Sequence, residues 1–289
     1  MMGFTLKWGD HVLKLDQRTH IMGILNVTPD SFSDGGQYFD QDKAIEHGLH
    51  MAREGADMID VGGESTRPFS QKVSMSEEMD RVIPVIEALS KELTIPISID
   101  TYKGEVAQEA LEAGASIIND ISALRFDPLM ASIAANSEVP LVLTHMKGSP
   151  DNMQDNPVYG DLITEIMDFL KDAVKRSIKA GIREELVIVD PGIGFGKTFD
   201  DNLKIINEFT RLESLGRPVL LGSSNKAFIG HVLDRSPHER DTGTVATVAA
   251  GVMKGAHIVR VHNVAKAFDT VKMIDAIMRG RTSVTWENP

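Results

Sequence analysis

Ile21-Met22-Gly23-Ile24-Leu25-Asn26-Val27-Thr28-Pro29 is the stretch that decides the architecture. Its apolar residues follow one another without period-two alternation, as in a strand buried on both faces of a parallel sheet. It closes on Asn26 and Thr28-Pro29 rather than on the glycine-rich turn that an open, doubly wound nucleotide-binding sheet places after its first strand. Seven further runs share the design, at 58–61, 95–100, 116–119, 140–145, 186–190, 218–222 and 257–262, and most close on polar residues. Between them lie amphipathic stretches. Val82, Val85, Ile86 and Leu89 fall at helical spacing, Leu162, Ile166, Phe169, Leu170 and Ala173 form another such stripe, and Phe268, Val271 and Met278 mark a last helix. Gly55-Ala56, Gly114-Ala115, Gly181-Ile182 and Gly255-Ala256 read as left-handed helix ends followed by the next strand.

Eight strand–helix repeats predict a closed (β/α)8 barrel rather than an open sheet. No linker divides the chain, so residues 1–289 are expected to form a single unit. Within residues 1–18, segments 4–8 and 12–15 flank Gly9-Asp10 as a hairpin covering the bottom of the barrel.

The chain is 42% apolar and 25% charged, with 24 Gly and 12 Pro among 289 residues, which excludes disorder, collagen and coiled coil as the main theme. Thirty Lys plus Arg against 42 Asp plus Glu leave a net charge of −12, which argues against nucleic-acid and membrane partners. An anionic substrate would have to be held by a few local cations against that field. With no Cys, the chain has no disulfide, thiolate metal site or cysteine nucleophile, and it fits a reducing compartment. Residues 1–18 lack the apolar core of a signal peptide, and no stretch reaches the length of a membrane span, so a cytoplasmic protein is expected.

In such barrels the active site lies at the C-terminal ends of the strands. The residues there are Asn26, Glu64-Ser65-Thr66-Arg67, Asp100, Asn119-Asp120, His145, Asp190, Lys226, Arg260 and His262. Singly, each reads as a solvated loop starter; together on one rim they read as a site. The loop after the first strand carries Asp30 and Asp34 and ends in Gly35-Gly36, the composition of a closing lid or of a plain surface turn. Arg67 suits fork-like binding of a carboxylate or phosphate. Asp100, Asn119 and Asp190 could accept parallel N–H bonds from an aminopyrimidine edge, collect Mg2+, or serve as general acid and base. Lys226, Arg260 and His262 lie where barrels usually bind phosphate. Asp190-Pro191-Gly192-Ile193-Gly194-Phe195-Gly196-Lys197-Thr198 imitates nucleotide motifs and fails both: Pro191 stands where the P-loop needs its first Gly, and Lys197 where the dinucleotide fingerprint needs its third. His145 has no second ligand at metal spacing, and the 14 Met read as packing residues.

Met22-Gly23-Ile24-Leu25-Asn26-Val27-Thr28-Pro29-Asp30-Ser31-Phe32-Ser33-Asp34-Gly35-Gly36 resembles the leading signature of the dihydropteroate synthases. Gly62-Gly63-Glu64-Ser65-Thr66-Arg67-Pro68, Ser98-Ile99-Asp100-Thr101-Tyr102-Lys103, Ile118-Asn119-Asp120-Ile121, residues 190–198 and Val259-Arg260-Val261-His262 resemble the family's later motifs, so the likeness spans nearly the whole chain. It implies a TIM-barrel transferase, commonly homodimeric and the target of sulfonamides. Such an enzyme joins 6-hydroxymethyl-7,8-dihydropterin diphosphate to p-aminobenzoate, releasing diphosphate, with Mg2+. By the same resemblance Asp100, Asn119, Asp190 and Lys226 would hold the pterin, with Met146 lining the mouth and Gly222 among the binding positions. Arg260 would stack on the ring and, with His262 and Asn26, receive the diphosphate and its Mg2+, Asn26 as the metal ligand. Thr66, Arg67 and Pro68 would close on p-aminobenzoate beside Phe195. Asp30, Asp34, Arg67, Lys226, Arg260 and His262 form the expected catalytic set.

Two positions depart from the family's seventh-strand motif, which usually reads Ser-Arg-Lys-Ser and here reads Ser224-Asn225-Lys226-Ala227. Ala227 removes a hydroxyl that would help receive the p-aminobenzoate carboxylate, a contact of about 1.5–3 kcal/mol in a dry site. Two other readings share the barrel: a pterin-binding paralogue without turnover, and a corrinoid-type pterin methyltransferase.

Overall fold

A computed structural model of the protein describes residues 3–28, 37–65 and 72–282. After a two-stranded hairpin, β1 (Thr5–Trp8) and β2 (His11–Lys14), come the strands β3 (His20–Asn26), β4 (Met58–Gly62), β5 (Ile97–Asp100), β6 (Ile117–Asp120), β7 (Leu141–Thr144), β8 (Val187–Asp190), β9 (Leu220–Leu221) and β10 (Ile258–Val261). These eight pair in parallel in the order β8-β7-β6-β5-β4-β3-β10-β9. Val189 then bridges in parallel to Val219, and its N–H reaches Pro218 O at 3.0 Å, joining β8 to the start of β9. The sheet is a barrel, as the eight runs predict.

Five of the eight strands, β5 and β7–β10, are shorter than their apolar runs. β5 starts at Ile97 because Pro96 has no N–H to pair, and Pro218 delays β9 in the same way. Helices α1 (Gln37–Arg53), α2 (Met75–Glu92), α3 (Gly104–Glu112), α4 (Pro128–Ser137), α5 (Leu162–Lys179), α6 (Phe199–Asn207), α7 (Ala227–Leu233), α8 (Asp241–Met253) and α9 (Val264–Arg279) fill the connections, two of them between β9 and β10. Sequence signals explain their bounds. Ser74 and Asp161 cap α2 and α5 by accepting from Glu77 N and Thr164 N, and the stripes Val82, Val85, Ile86, Leu89 and Leu162, Ile166, Leu170, Ala173 are buried. The four glycines expected at helix ends have φ between +98° and +114°, a region that favours glycine.

The hairpin closes the bottom of the barrel. Leu6, Trp8, Leu13 and Leu15 are buried in the main core, and the Phe4 ring meets His257, just ahead of β10, edge-on at 5.1 Å. His257 also fastens the β9–β10 seam: its N–H donates to Val219 O, and its ring Nδ1 accepts from Val219 N at 3.2 Å. Nearby, Arg18 grips Asp57, which also accepts the N–H of Ile21 at 2.8 Å.

Burial lowers the His257 pKa to about 4, and that of His20, at the first residue of β3, to about 4. Between pH 6.5 and 4 the unfolded chain therefore takes up protons that the folded chain refuses, and these two residues withdraw stability as pH falls through that window. His257→Asn keeps an acceptor for Val219 N and cannot titrate. Urea unfolding at several pH values should show its stability falling less steeply than wild type below pH 6.5, by about 1.4 kcal/mol per pH unit at most.

Candidate functional site

The C-terminal mouth of the barrel is built around one guanidinium. Arg260 on β10 donates from Nε to Asp60 Oδ2 and from Nη2 to Asp100 Oδ2, each at 2.6 Å. Asn119 on β6 donates to the same Asp60 oxygen at 3.0 Å. Four strands are thereby tied across the mouth. The Arg260 side chain remains 19% exposed, so the guanidinium is held from behind while part of it faces the opening. Asp60 Oδ1 and Asp100 Oδ1 are buried with no hydrogen-bond partner among the described residues. Such acceptors call for a donor.

Asp190, ending β8, completes the group. Its Oδ1 accepts from Gly192 N at 2.7 Å, and its Oδ2 lies 3.7 Å from where a Cβ on Gly222 would stand. A side chain at position 222 would occupy the space between Asp190 and Arg260 that glycine leaves open. Burial raises the pKa of Asp190, against the Gly192 N–H and Lys226. Burial also raises that of Asp100, against the pull of Arg260. For Arg260, burial opposes the charge, but Asp60 and Asp100 more than offset it and the pKa rises. Arg260 therefore keeps its proton, while at Asp100 burial, assisted by the neighbouring Asp60 carboxylate, outweighs the guanidinium.

Beside the charges stands an apolar wall apart from the main core: Ile121, Met146, Met153 and Phe195, with Tyr102 and Phe126 packed on it. The Lys226 ammonium lies 4.5 Å from the centroid of the Phe195 ring. His262, just past β10, pairs its Nδ1 with Ser224 Oγ at 2.9 Å. Asn26 ends β3, at the rim between β10 and β4. A slot with acceptors along one edge, cations on another side and apolar side chains along its wall suits a flat heterocycle with N–H donors and an anionic tail.

The structure thus gathers Asp100, Asn119, Met146, Asp190, Phe195, Gly222, Lys226, Arg260 and His262 at the mouth. Asp30, Asp34, Thr66, Arg67 and Pro68 lie outside the described residues. Three rim residues turn away from the opening. Asp120 accepts from Ser122 N and Leu124 N in its own turn, Glu64 is taken by Lys103 and Tyr102, and His145 packs edge-on against Phe169 of α5 at 4.8 Å. Thr198 of the P-loop imitation forms a capping box with Asp201 at the start of α6. Asp60 was not among the sequence candidates. Its signal is a carboxylate in the middle of the apolar run Met58-Ile59-Asp60-Val61, a place where a charge needs a buried partner.

Residues 22–262 match the pterin-binding enzyme family. The dihydropteroate synthase of Bacillus subtilis (strain 168) is 52% identical over 266 residues, covering 92% of this chain and 91% of the relative. Among solved structures, the Yersinia pestis dihydropteroate synthase with a sulfonamide drug superposes at TM-score 0.91 with 41% identity, over 96% of this chain and 100% of that one. The Xanthomonas albilineans dihydropteroate synthase in complex with 7,8-dihydropteroate gives TM-score 0.86 and 41% identity, over 95% and 98%.

Asp60→Ala removes a buried acceptor and strands donors of both Arg260 and Asn119. It should cost about 3 kcal/mol of unfolding free energy, measured by chemical denaturation.

Proposed function

The chain belongs to the pterin-binding enzymes and, within them, to the dihydropteroate synthases, and on that premise we propose how its barrel mouth performs the reaction. These transferases condense 6-hydroxymethyl-7,8-dihydropterin diphosphate with p-aminobenzoate to 7,8-dihydropteroate and diphosphate. The observation that carries the residue assignment is the group of buried carboxylate acceptors around Arg260. The pterin's amino-pyrimidine edge offers parallel N–H donors, and Asp190 Oδ2, beside the space at Gly222, and the unpartnered Asp100 Oδ1 are the acceptors assigned to them. Asn119 and Lys226 hold the rest of the heterocycle, Met146 lines it, and the exposed part of Arg260 stacks on its face.

The amine of p-aminobenzoate is neutral near pH 7, so its lone pair needs orientation more than a base. It attacks the pterin's exocyclic methylene carbon. The new N–C bond forms, the C–O bond to diphosphate breaks with its electron pair leaving on oxygen, and the amine nitrogen sheds a proton. Arg260 and His262 stabilise the charge that collects on the departing oxygen, and the electron-rich dihydropterin spreads the positive charge left on the methylene. Asp30, Asp34, Thr66, Arg67 and Pro68 are assigned to closure over p-aminobenzoate, with Phe195 beside it.

Mg2+ is the proposed cofactor. It takes oxygen donors and commonly binds through few protein groups plus substrate phosphates. The Asn26 amide oxygen, at the same rim as Arg260 and His262, is of that class. When bound, the ion would neutralise diphosphate charge.

At the departures from the family motif, Asn225 stands at φ +55°, a conformation asparagine accepts more readily than arginine, and its backbone is tied to Thr244 and Arg240. Ala227 is the first residue of α7 and brings no hydroxyl. The grip on the p-aminobenzoate carboxylate is accordingly the weaker half of the site. Relatives of synthase function over more than nine-tenths of the chain favour this reading over a corrinoid-type methyltransferase.

A homodimer is proposed from one face of the barrel. Leu203 on α6, Val232 and Leu233 on α7, Met253 on α8 and Met273 and Ile277 on α9 are all at least 41% exposed, on helices that pack side by side. A cytoplasmic setting, with residues 1–289 acting as one pterin-binding unit, completes the proposal. No helix among the described residues is long and apolar enough to cross a membrane.

Protein mixed with Mg2+, pterin diphosphate and p-aminobenzoate should release diphosphate; release no faster than background would overturn the assignment and leave a silent paralogue. Asp190→Ala should abolish pterin binding in calorimetry, and unchanged affinity would mean that the pterin lies elsewhere. Sedimentation velocity should give the mass of two chains, a monomer at micromolar concentration being the contrary result.

A further inference from the structure

Behind Asp190 lies a lysine that the reaction above does not use. Lys197 is 2% exposed, and its hydrogen-bonding partners are neutral. Its Nζ stands 2.9 Å from His145 Nδ1, 3.0 Å from Phe195 O and 3.4 Å from His145 O. The turn before it, Gly192-Ile193-Gly194-Phe195-Gly196, is pressed against the end of β7. A Cβ on Gly192 would fall 1.9 Å from His145 O, and one on Gly196 2.6 Å from Lys147 O. This same turn sets two parts of the mouth, for Gly192 N holds Asp190 Oδ1 and Phe195 carries the ring beneath Lys226.

Anchoring a turn to two carbonyls does not require a lysine, and burying an ammonium without a carboxylate in contact is unfavourable. What lysine adds is charge. Burial lowers its pKa to about 7, while Asp190 is the strongest of the charges that support its protonated form, with Asp201 assisting and Lys226 opposing. His145 is driven down to about 2 by burial and by Lys197, and so stays a neutral acceptor.

We propose that Lys197 is a positioning residue for pterin binding: seated on neutral His145, its ammonium fixes the 192–196 turn and keeps Asp190 ionised and aimed at the mouth. The inference rests on the synthase function proposed above. Asp190 is faced by the cations Lys197, Lys226 and Arg260, with Asp60 and Asp100 behind Arg260. Removing Lys197 leaves Lys226 and Arg260 and favours the protonated carboxyl, a weaker acceptor for the pterin N–H at Oδ2, since Oδ1 is held by Gly192 N.

The test uses Lys197→Met, Lys197→Gln and, as a control, Tyr159→Phe. Tyr159 Oη donates to Gly196 O at 2.6 Å, so that variant loosens the same turn without changing charge. For each folded variant, kcat, the KM of each substrate and the pH dependence of pterin diphosphate affinity by calorimetry are compared with wild type. Both Lys197 variants should raise the pterin KM about tenfold and move the acid limb of the affinity profile to higher pH, with Tyr159→Phe leaving that limb in place. An unmoved limb in Lys197→Gln, or an equal shift in Tyr159→Phe, overturns the proposal. If neither Lys197 variant folds, nitrogen-15 NMR of wild-type Lys197 decides: an ammonium at pH 7 with pterin bound supports the proposal, and a neutral amine overturns it. A wild type that neither binds pterin nor turns over would instead count against the synthase assignment.

Discussion

Closing eight parallel strands into a barrel brings their C-terminal ends to one rim, and the functional geometry of this protein follows from that convergence. Asp60 and Arg260 are 200 residues apart in the chain and share a hydrogen bond of 2.6 Å. Asp100, Asn119 and Asp190 come from three further strands. None of these contacts could be made by local structure. The seam of the barrel at β9 has only two strand residues, and it is secured where Val219 meets Val189 on one side and His257 on the other. The distance between that seam and Arg260 is short in sequence terms, since β10 both pairs with β9 and carries the guanidinium.

The mouth also resolves the tension between an acidic protein and an anionic substrate. A net charge of −12 describes the surface as a whole. At the mouth, Asp60, Asp100 and Asp190 stand against Arg260 and Lys226, with Lys197 buried behind Asp190, so the balance is local. Buried acids accept donors from a heterocycle, while Arg260, kept charged by Asp60 and Asp100, turns its exposed part to the opening. Low dielectric strengthens both halves. The arrangement holds an anion without requiring a basic protein.

Much of this was legible along the chain. Eight apolar runs, the glycines at helix ends and the capping residues belong to local patterns, and the structure returns them with strand ends displaced mainly where Pro96 and Pro218 lack an N–H. The site was legible only as a list of strand-end residues. Asn119 and Asp120 are adjacent, and both read as candidates, yet Asn119 reaches inward to Asp60 while Asp120 caps its own turn. Glu64 and His145 were equally plausible and turned out to be structural, whereas Asp60 looked like one more residue of a buried strand. Successive side chains on a strand point to opposite faces, and a polar residue reveals its face only when its neighbours across the sheet are known.

By itself the sequence determined the class of fold, the end of the barrel that carries chemistry and the types of group available there. Hydrophobic period, turn residues and caps act over a few positions and need no distant partner. Only the tertiary structure decided which carboxylates hold Arg260, which carboxylate oxygens are left without a partner among the described residues, and that Lys197 lies buried behind Asp190. Those outcomes depend on burial and on contacts between strands far apart in the chain, where desolvation makes an unpaired charge so unfavourable that position in space, more than residue type, assigns each group its role.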